Sequence, residues 1–126
     1  MGVTYDTGAL IAGDRNDRAM WALHAGFLAE EVSPTVPAPV LAEAWRGGSR
    51  QANLARMLAL CTVEGMDDQQ AKSVGVLAGK SAHDDVVDVT VVEGALRRRD
   101  AVITSNPTHI RGIADSVRRR VEIVTV

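Results

Sequence analysis

The feature that most constrains this chain is an alternation. Short segments rich in β-branched and apolar residues are followed, again and again, by stretches in which apolar residues recur at helical spacing. Runs of that kind need burial on both faces, and helices between them can carry the chain back across a sheet. The pattern predicts an α/β domain whose parallel sheet is covered on both sides.

The spacing predicts a first strand over 3–6, Thr7 as a cap, and a short helix through Ala12 ended by Gly13. Asn16 is then read as the cap of a longer helix over 17–31 with Met20, Leu23, Phe27 and Leu28 on its apolar face, flanked by Trp21 and His24. A second strand is expected over 32–36, interrupted by Pro37 and Pro39 before a helical segment over 40–46 that Gly47 and Gly48 stop. A helix over 51–60 and a brief strand over 62–64 follow, and a capping box at 67–70 opens a helix that Gly79 closes. Asp84 or Asp85 caps the next helix, running to about Arg99, and 101–104 reads as a buried strand. Pro107 opens one more helix, and 120–126 alternates enough for a final strand at a sheet edge.

Composition narrows the function. With 126 residues, 46% hydrophobic and 24% charged, the chain reads as one globular domain over 1–126 and not as a disordered tail or coiled coil. A formal net charge of −2 excludes a nucleic-acid binder held by a broad basic surface, and leaves open an enzyme acting on nucleic acid at a local site. Cys61 is the single cysteine, so neither an intrachain disulfide nor a thiolate zinc cluster is available, and a reducing cytoplasm is the expected home. Residues 1–4 lack the basic and apolar stretches of a signal peptide, and no apolar run approaches the roughly 20 residues of a spanning helix, so no membrane is expected.

The acidic residues carry the chemistry. Open parallel sheets place their sites beyond the carboxyl ends of the strands, and Asp6 falls at the end of the first expected strand. Asn106 follows the strand over 101–104, so these two strand ends can face one crevice. Asp85 and Asp88, three apart, share a helix face, and Glu43 lies in the helix after the prolines. Gathered carboxylates repel one another, a cost that a divalent cation with hard oxygen ligands removes. Each residue also has a plainer reading: Asp6, Asp84 and Asp85 as helix caps, Glu43 as a solvated helix residue. Asp88 is the hardest to explain so, because it interrupts an aliphatic run from Val86 to Val89.

Four segments then resemble the PIN-domain ribonucleases, specifically the VapC-type toxins of bacterial toxin–antitoxin pairs. They are Tyr5-Asp6-Thr7-Gly8-Ala9-Leu10-Ile11-Ala12, Val36-Pro37-Ala38-Pro39-Val40-Leu41-Ala42-Glu43-Ala44-Trp45-Arg46, Asp85-Val86-Val87-Asp88-Val89 and Val102-Ile103-Thr104-Ser105-Asn106-Pro107. The resemblance spans nearly the whole chain. It implies a three-layer α/β/α sandwich with a central parallel sheet and an endoribonuclease site dependent on Mg2+ or Mn2+. By position, Asp6 and Asp88 become metal-binding acids, Glu43 the second catalytic acid, Asp85 a supporting acid and Thr7 the hydroxyl beside the first acid. The departures are Asn106 and His109, where members commonly carry aspartates; Asn106 keeps a carbonyl oxygen and loses a charge, and His109 reads as a surface residue.

The chemistry implied is hydrolysis of an RNA phosphodiester, with Glu43 positioning a water or taking its proton. Arg46, Arg50 and Arg111 are the candidates to hold flanking phosphates. The runs 97–99 and 118–120 read better as structural cations than as RNA contacts, and with four aromatics base stacking is not the main binding mode. The resemblance also implies a homodimer and a cognate VapB-type antitoxin. The helix over 17–31, with Leu54, Met57 and Leu58, is a candidate contact face if it is not core. The competing expectation, prompted by Asn106 and His109, is a catalytically weak fold kept for binding RNA or the antitoxin. A phosphoacceptor receiver is disfavoured, since no acidic pair follows the first strand.

Overall fold

A computed structural model describes residues 2–126. Five short strands form one all-parallel sheet: β1 (Val3–Tyr5), β2 (Thr35–Pro37), β3 (Thr62–Glu64), β4 (Ala101–Thr104) and β5 (Ile123–Thr125), in the order β3-β2-β1-β4-β5. Seven helices connect them: α1 (Thr7–Asp14), α2 (Arg18–Ala29), α3 (Ala38–Ala44), α4 (Ala52–Leu58), α5 (Asp68–Ser81), α6 (Val86–Arg98) and α7 (Pro107–Ser116). The architecture is a three-layer α/β/α fold, in which α5, α6 and α7 pack on one another while α1 packs on α2, α3 and α4.

The central strands are apolar because both of their faces are covered. Every residue of β1 and β4 is buried, and their registers pair Val3 with Ala101, Thr4 with Val102 and Tyr5 with Ile103. Leu10, Met20, Val40, Leu54, Met57, Ile110 and Ile113, all 0–1% exposed, close the core around them. Leu54 and Met57 are therefore core and not a partner surface. Buried polar groups on the sheet are satisfied: the Thr4 hydroxyl donates to Asp100 Oδ2 at 2.9 Å and accepts from Arg98 Nη2 at 2.9 Å. The Tyr5 hydroxyl donates to Nδ1 of buried His24 at 2.8 Å, which fits burial holding the phenol protonated and the imidazole neutral.

Element boundaries differ from the sequence expectations where capping chemistry decides them. Asp6 rather than Thr7 caps α1, and Asp17 rather than Asn16 caps α2, its carboxylate accepting from Met20 N at 2.8 Å. The second strand starts three residues later than expected, at Thr35, and Pro37 ends it at the same point where α3 begins. Gly79 does not close α5. The helix runs on to Ser81, and Ala82 takes the left-handed conformation that ends it, at φ 51°. Gly47 and Gly48 do not end α3 either: it stops at Ala44, where Trp45 turns to extended backbone, and the glycines, with φ of 82° and 86° that other residues rarely adopt, shape the loop beyond. Among the described residues no helix is long and apolar enough to cross a membrane.

Candidate metal centre

The strand order reverses at β1, whose neighbours β2 and β4 are reached by connections running in opposite directions. A crevice opens at such a point beyond the carboxyl ends of the strands. Asp6 occupies it as the residue between β1 and α1. One of its carboxylate oxygens accepts from Thr7 N at 2.7 Å, and the other accepts from the Thr104 hydroxyl at 2.6 Å. Thr104, fully buried at the end of β4, also accepts from Asn106 N at 2.9 Å, so a single side chain ties Asp6 to the loop that follows. Gly8 makes that approach possible, because a Cβ there would collide with Ser105.

Burial pushes the Asp6 carboxyl above the usual aspartate range. The hydrogen bonds from Thr104 and Thr7 pull it down, and nearby Asp88 and Glu43 push it up. Glu43, on the exposed face of α3, accepts from the Thr7 hydroxyl at 2.7 Å through Oε1. Thr7 therefore supports the first acid through its backbone and the second through its hydroxyl. Asp88 lies in the first turn of α6 and is 8% exposed. Asp85 caps that helix, its Oδ1 accepting from Val87 N at 2.9 Å and from Asp88 N at 3.3 Å. The positive ends of α1 and α6, with α7 starting beside them, offset part of the repulsion among the acids.

Thr7 thus links Asp6 to Glu43, the charges of Glu43 and Asp88 reach Asp6, Asn106 reaches Asp88 through His109, and Asp85 fixes the backbone that presents Asp88. The ligand oxygens of Asp6, Glu43 and Asp88 do not all come within 4.8 Å of one another. The donor set suits Mg2+: hard carboxylate oxygens, one of them buried and held from both sides by protein donors, for an ion that needs only one or two direct carboxylates. The candidate phosphate-binding arginines are on the surface. Arg46 folds its Nη1 onto the carbonyls of Ala42 and Trp45 at 3.2 and 2.8 Å, whereas Arg50 and Arg111 are exposed. Arg97 and Arg98 are held elsewhere, in ion pairs with Glu64, Glu93 and Asp100.

Two imidazoles were not expected here. His83 Nε2 lies 3.3 Å and His109 Nδ1 lies 3.2 Å from the same oxygen, Asp88 Oδ2. The rings meet edge to face with centroids 5.3 Å apart, and Asn106 Nδ2 sits 2.9 Å from His109 Nδ1. His109 is the surface helix residue expected, and what the sequence did not show is the imidazole from another loop beside it. Only the Asn106-to-His109 spacing of one helical turn pointed toward this face; His83 belongs to a different loop and carried no signal.

No family model matches the chain, and no curated protein sequence does. Solved structures do. The chain is similar to one in VapBC2 from Rickettsia felis bound to a DNA fragment from their promoter, with TM-score 0.76 and 13% identity over 100% of this chain and 99% of that one. It is also similar to one in FitAB bound to an IR36 DNA fragment, with TM-score 0.68 and 15% identity over 98% of this chain and 94% of that one. The assignment to the PIN-domain ribonucleases of the VapC type is withdrawn on these findings. Both similar structures are two-component assemblies on DNA, and identity this low carries the fold alone. The quoted segments also have local structural reasons: Asp6 and Asp85 are caps, and Pro39 and Pro107 open helices. What the comparisons establish is the α/β/α architecture of the whole chain.

Proposed function

We propose that this protein is a metal-dependent endoribonuclease that hydrolyses RNA phosphodiester bonds as one component of a toxin–antitoxin pair. The observation that carries the reading is the gathering of Asp6, Glu43 and Asp88, from three distant segments, at the crevice where the strand order reverses, with Asp6 raised by burial and by its acidic neighbours. Neither Asp6 nor Glu43 has a cationic partner among the described side chains, and the charges of Asp88 and Glu43 both act on Asp6. The similarity to chains of the VapBC2 and FitAB assemblies supports a paired mode of action.

Asp6 and Asp88 would hold Mg2+ or Mn2+, which when bound makes water a better nucleophile and offsets charge on the phosphoryl group. The side chains supply the rest. Thr104 and Thr7 N fix the Asp6 carboxylate in one orientation, and the Thr7 hydroxyl holds Glu43 Oε1 so that its other oxygen can take a proton from water. Arg50 and Arg111 are placed to neutralise flanking phosphates, with Arg46 joining if its guanidinium leaves the α3 carbonyls. The outer side of α2, where Ala22, Leu23, Gly26 and Phe27 line an apolar groove, suits a homodimer or an antitoxin segment.

A second reading, a weakly catalytic module that binds RNA or the antitoxin, is favoured by the two imidazoles crowding Asp88 Oδ2. Incubating purified protein with structured RNA in Mg2+ separates the two. Cuts that vanish on chelation and in both Asp6→Asn and Asp88→Asn support the nuclease. RNA binding without metal-dependent cuts refutes it.

A further inference from the structure

The cluster of His83, Asp88 and His109 is not absorbed by a site built for Mg2+, which prefers oxygen donors. Its geometry is specific. A tetrahedral ion with bonds of about 2.0–2.1 Å to nitrogen and oxygen needs ligand atoms about 3.3 Å apart. Asp88 Oδ2 is 3.3 Å from His83 Nε2 and 3.2 Å from His109 Nδ1, and all three ligand atoms lie within 4.8 Å of one another. The remaining nitrogen-to-nitrogen edge can shorten by a small turn of His109, whose side chain is 52% exposed.

The hydrogen-bond inventory makes the same point. His109 Nδ1 faces both the carboxylate oxygen of Asp88 and the side-chain amide of Asn106. If Asn106 donates its N–H to Nδ1, the ring presents a lone pair beside a carboxylate oxygen, and two acceptors face each other. His83 Nε2 approaches that same oxygen from the other side. One positive centre among the three atoms would satisfy all of them. The alternative is a proton on each imidazole.

We infer that His83, Asp88 and His109 form a binding site for a borderline divalent transition cation of the Zn2+, Co2+ or Ni2+ type, distinct in donor chemistry from the acidic centre with which it shares Asp88. Imidazole selects such ions over Mg2+, and three protein ligands leave a fourth position open to water or a phosphate oxygen. His109 Nδ1 has a single lone pair, so the Asn106 amide now 2.9 Å away would turn aside when the ion takes it. The inference shares one residue with the nuclease reading and does not require hydrolysis.

The test uses untagged full-length protein freed of metal by chelation and dialysis. Co2+ is titrated while visible absorption is recorded, and Zn2+ is titrated by calorimetry with Mg2+ in excess. One equivalent of Co2+ with the intense absorption of a tetrahedral nitrogen–oxygen site is expected, unaffected by Mg2+. His83→Ala and His109→Ala should each weaken Zn2+ at least tenfold, since a direct ligand counts for no less than an outer-shell one. Asp6→Asn should retain binding. The inference is overturned if the histidine double variant binds Zn2+ as wild type does, or if wild type binds none and the two imidazoles instead titrate as proton carriers by NMR. Zn2+ lost in Asp6→Asn but kept in the histidine variants would place the ion in the acidic centre, overturning this site and leaving the nuclease reading intact. Absent RNA cleavage with histidine-dependent Co2+ spectra would do the reverse.

Discussion

Thr104→Val is the sharpest probe of how the centre is held together. The substitution keeps the shape and removes the hydroxyl that donates to Asp6 Oδ2 at 2.6 Å and accepts from Asn106 N at 2.9 Å. Thr104 is fully buried and Asp6 is 5% exposed, so water does not easily replace the lost donor. A hydrogen bond to a charged group contributes about 1.5–3 kcal/mol net, against about 0.5–1.5 kcal/mol for a neutral one. The variant should therefore lose roughly 1.5–3 kcal/mol at a pH where the carboxylate is ionised. The loss should shrink to roughly 0.5–1.5 kcal/mol once Asp6 is protonated. For a chain of this size each kcal/mol moves Tm by about 4 °C, so the effect is well within reach of calorimetry.

Melting wild type and variant in divalent-free buffer from pH 4 to pH 8 gives the readout. The Tm difference should widen as pH rises, and the Asp6 carboxyl, followed by carbon NMR, should titrate higher in the variant because its ionised form has lost a donor. A Tm difference independent of pH would refute the reasoning. It would mean that Thr104 acts through packing and that the Asp6 carboxylate does not depend on it.

Two further outcomes follow from the same contacts. Asp6→Asn should raise Tm at pH 7 without divalent ions. The folded-state carboxyl lies above its ordinary value, so the folded protein binds more protons than the unfolded chain in that window and loses stability as pH rises through it. The advantage of Asn should vanish below the ordinary carboxylate range, and a variant less stable than wild type at pH 7 would show that hydrogen bonding outweighs burial. Arg98→Gln should cost about 3 kcal/mol by urea unfolding. It removes pairs to Asp100 at 2.9 Å and Glu64 at 2.8 Å and leaves Asp100, 8% exposed, without its cation. A loss below about 1 kcal/mol would class the network with exposed surface pairs.

The sequence carried the sheet and the odd position of Asp88 in local patterns, whereas Asp6 and Glu43 read locally as a cap and a solvated helix residue. Strands buried on two faces read as apolar runs, and a polar residue that interrupts such a run, as Asp88 does between Val87 and Val89, stands out. Caps were legible to within a residue, since Asp6 and Thr7, or Asn16 and Asp17, offer the same oxygen chemistry side by side. Thr104 was not legible as a ligand holder, because a threonine in a buried strand is ordinary β-sheet composition. The histidine pair was invisible for a topological reason. His83 lies within the loop between α5 and α6 and His109 in the first turn of α7, and the packing of α6 against both neighbours brings them to one oxygen.

That packing bears on why the centre carries Asn106 and His109 where two further acids might stand. Asp6 is already raised by burial and by two carboxylates. A third acid at either position would raise it further and weaken it as a ligand at neutral pH. An amide and an imidazole add donor atoms without adding charge. Asn106 ties its backbone to Thr104 and turns its side chain to His109, so it joins the centre without adding a repulsive charge. The same exchange shifts the Asp88 side of the site from an all-oxygen to a mixed nitrogen and oxygen donor set, which favours a different class of cation there than at Asp6. Introducing an acid by Asn106→Asp should consequently tighten Mg2+ at the cost of metal-free stability, read as a lower Tm in divalent-free buffer, because it adds a carboxylate near three others.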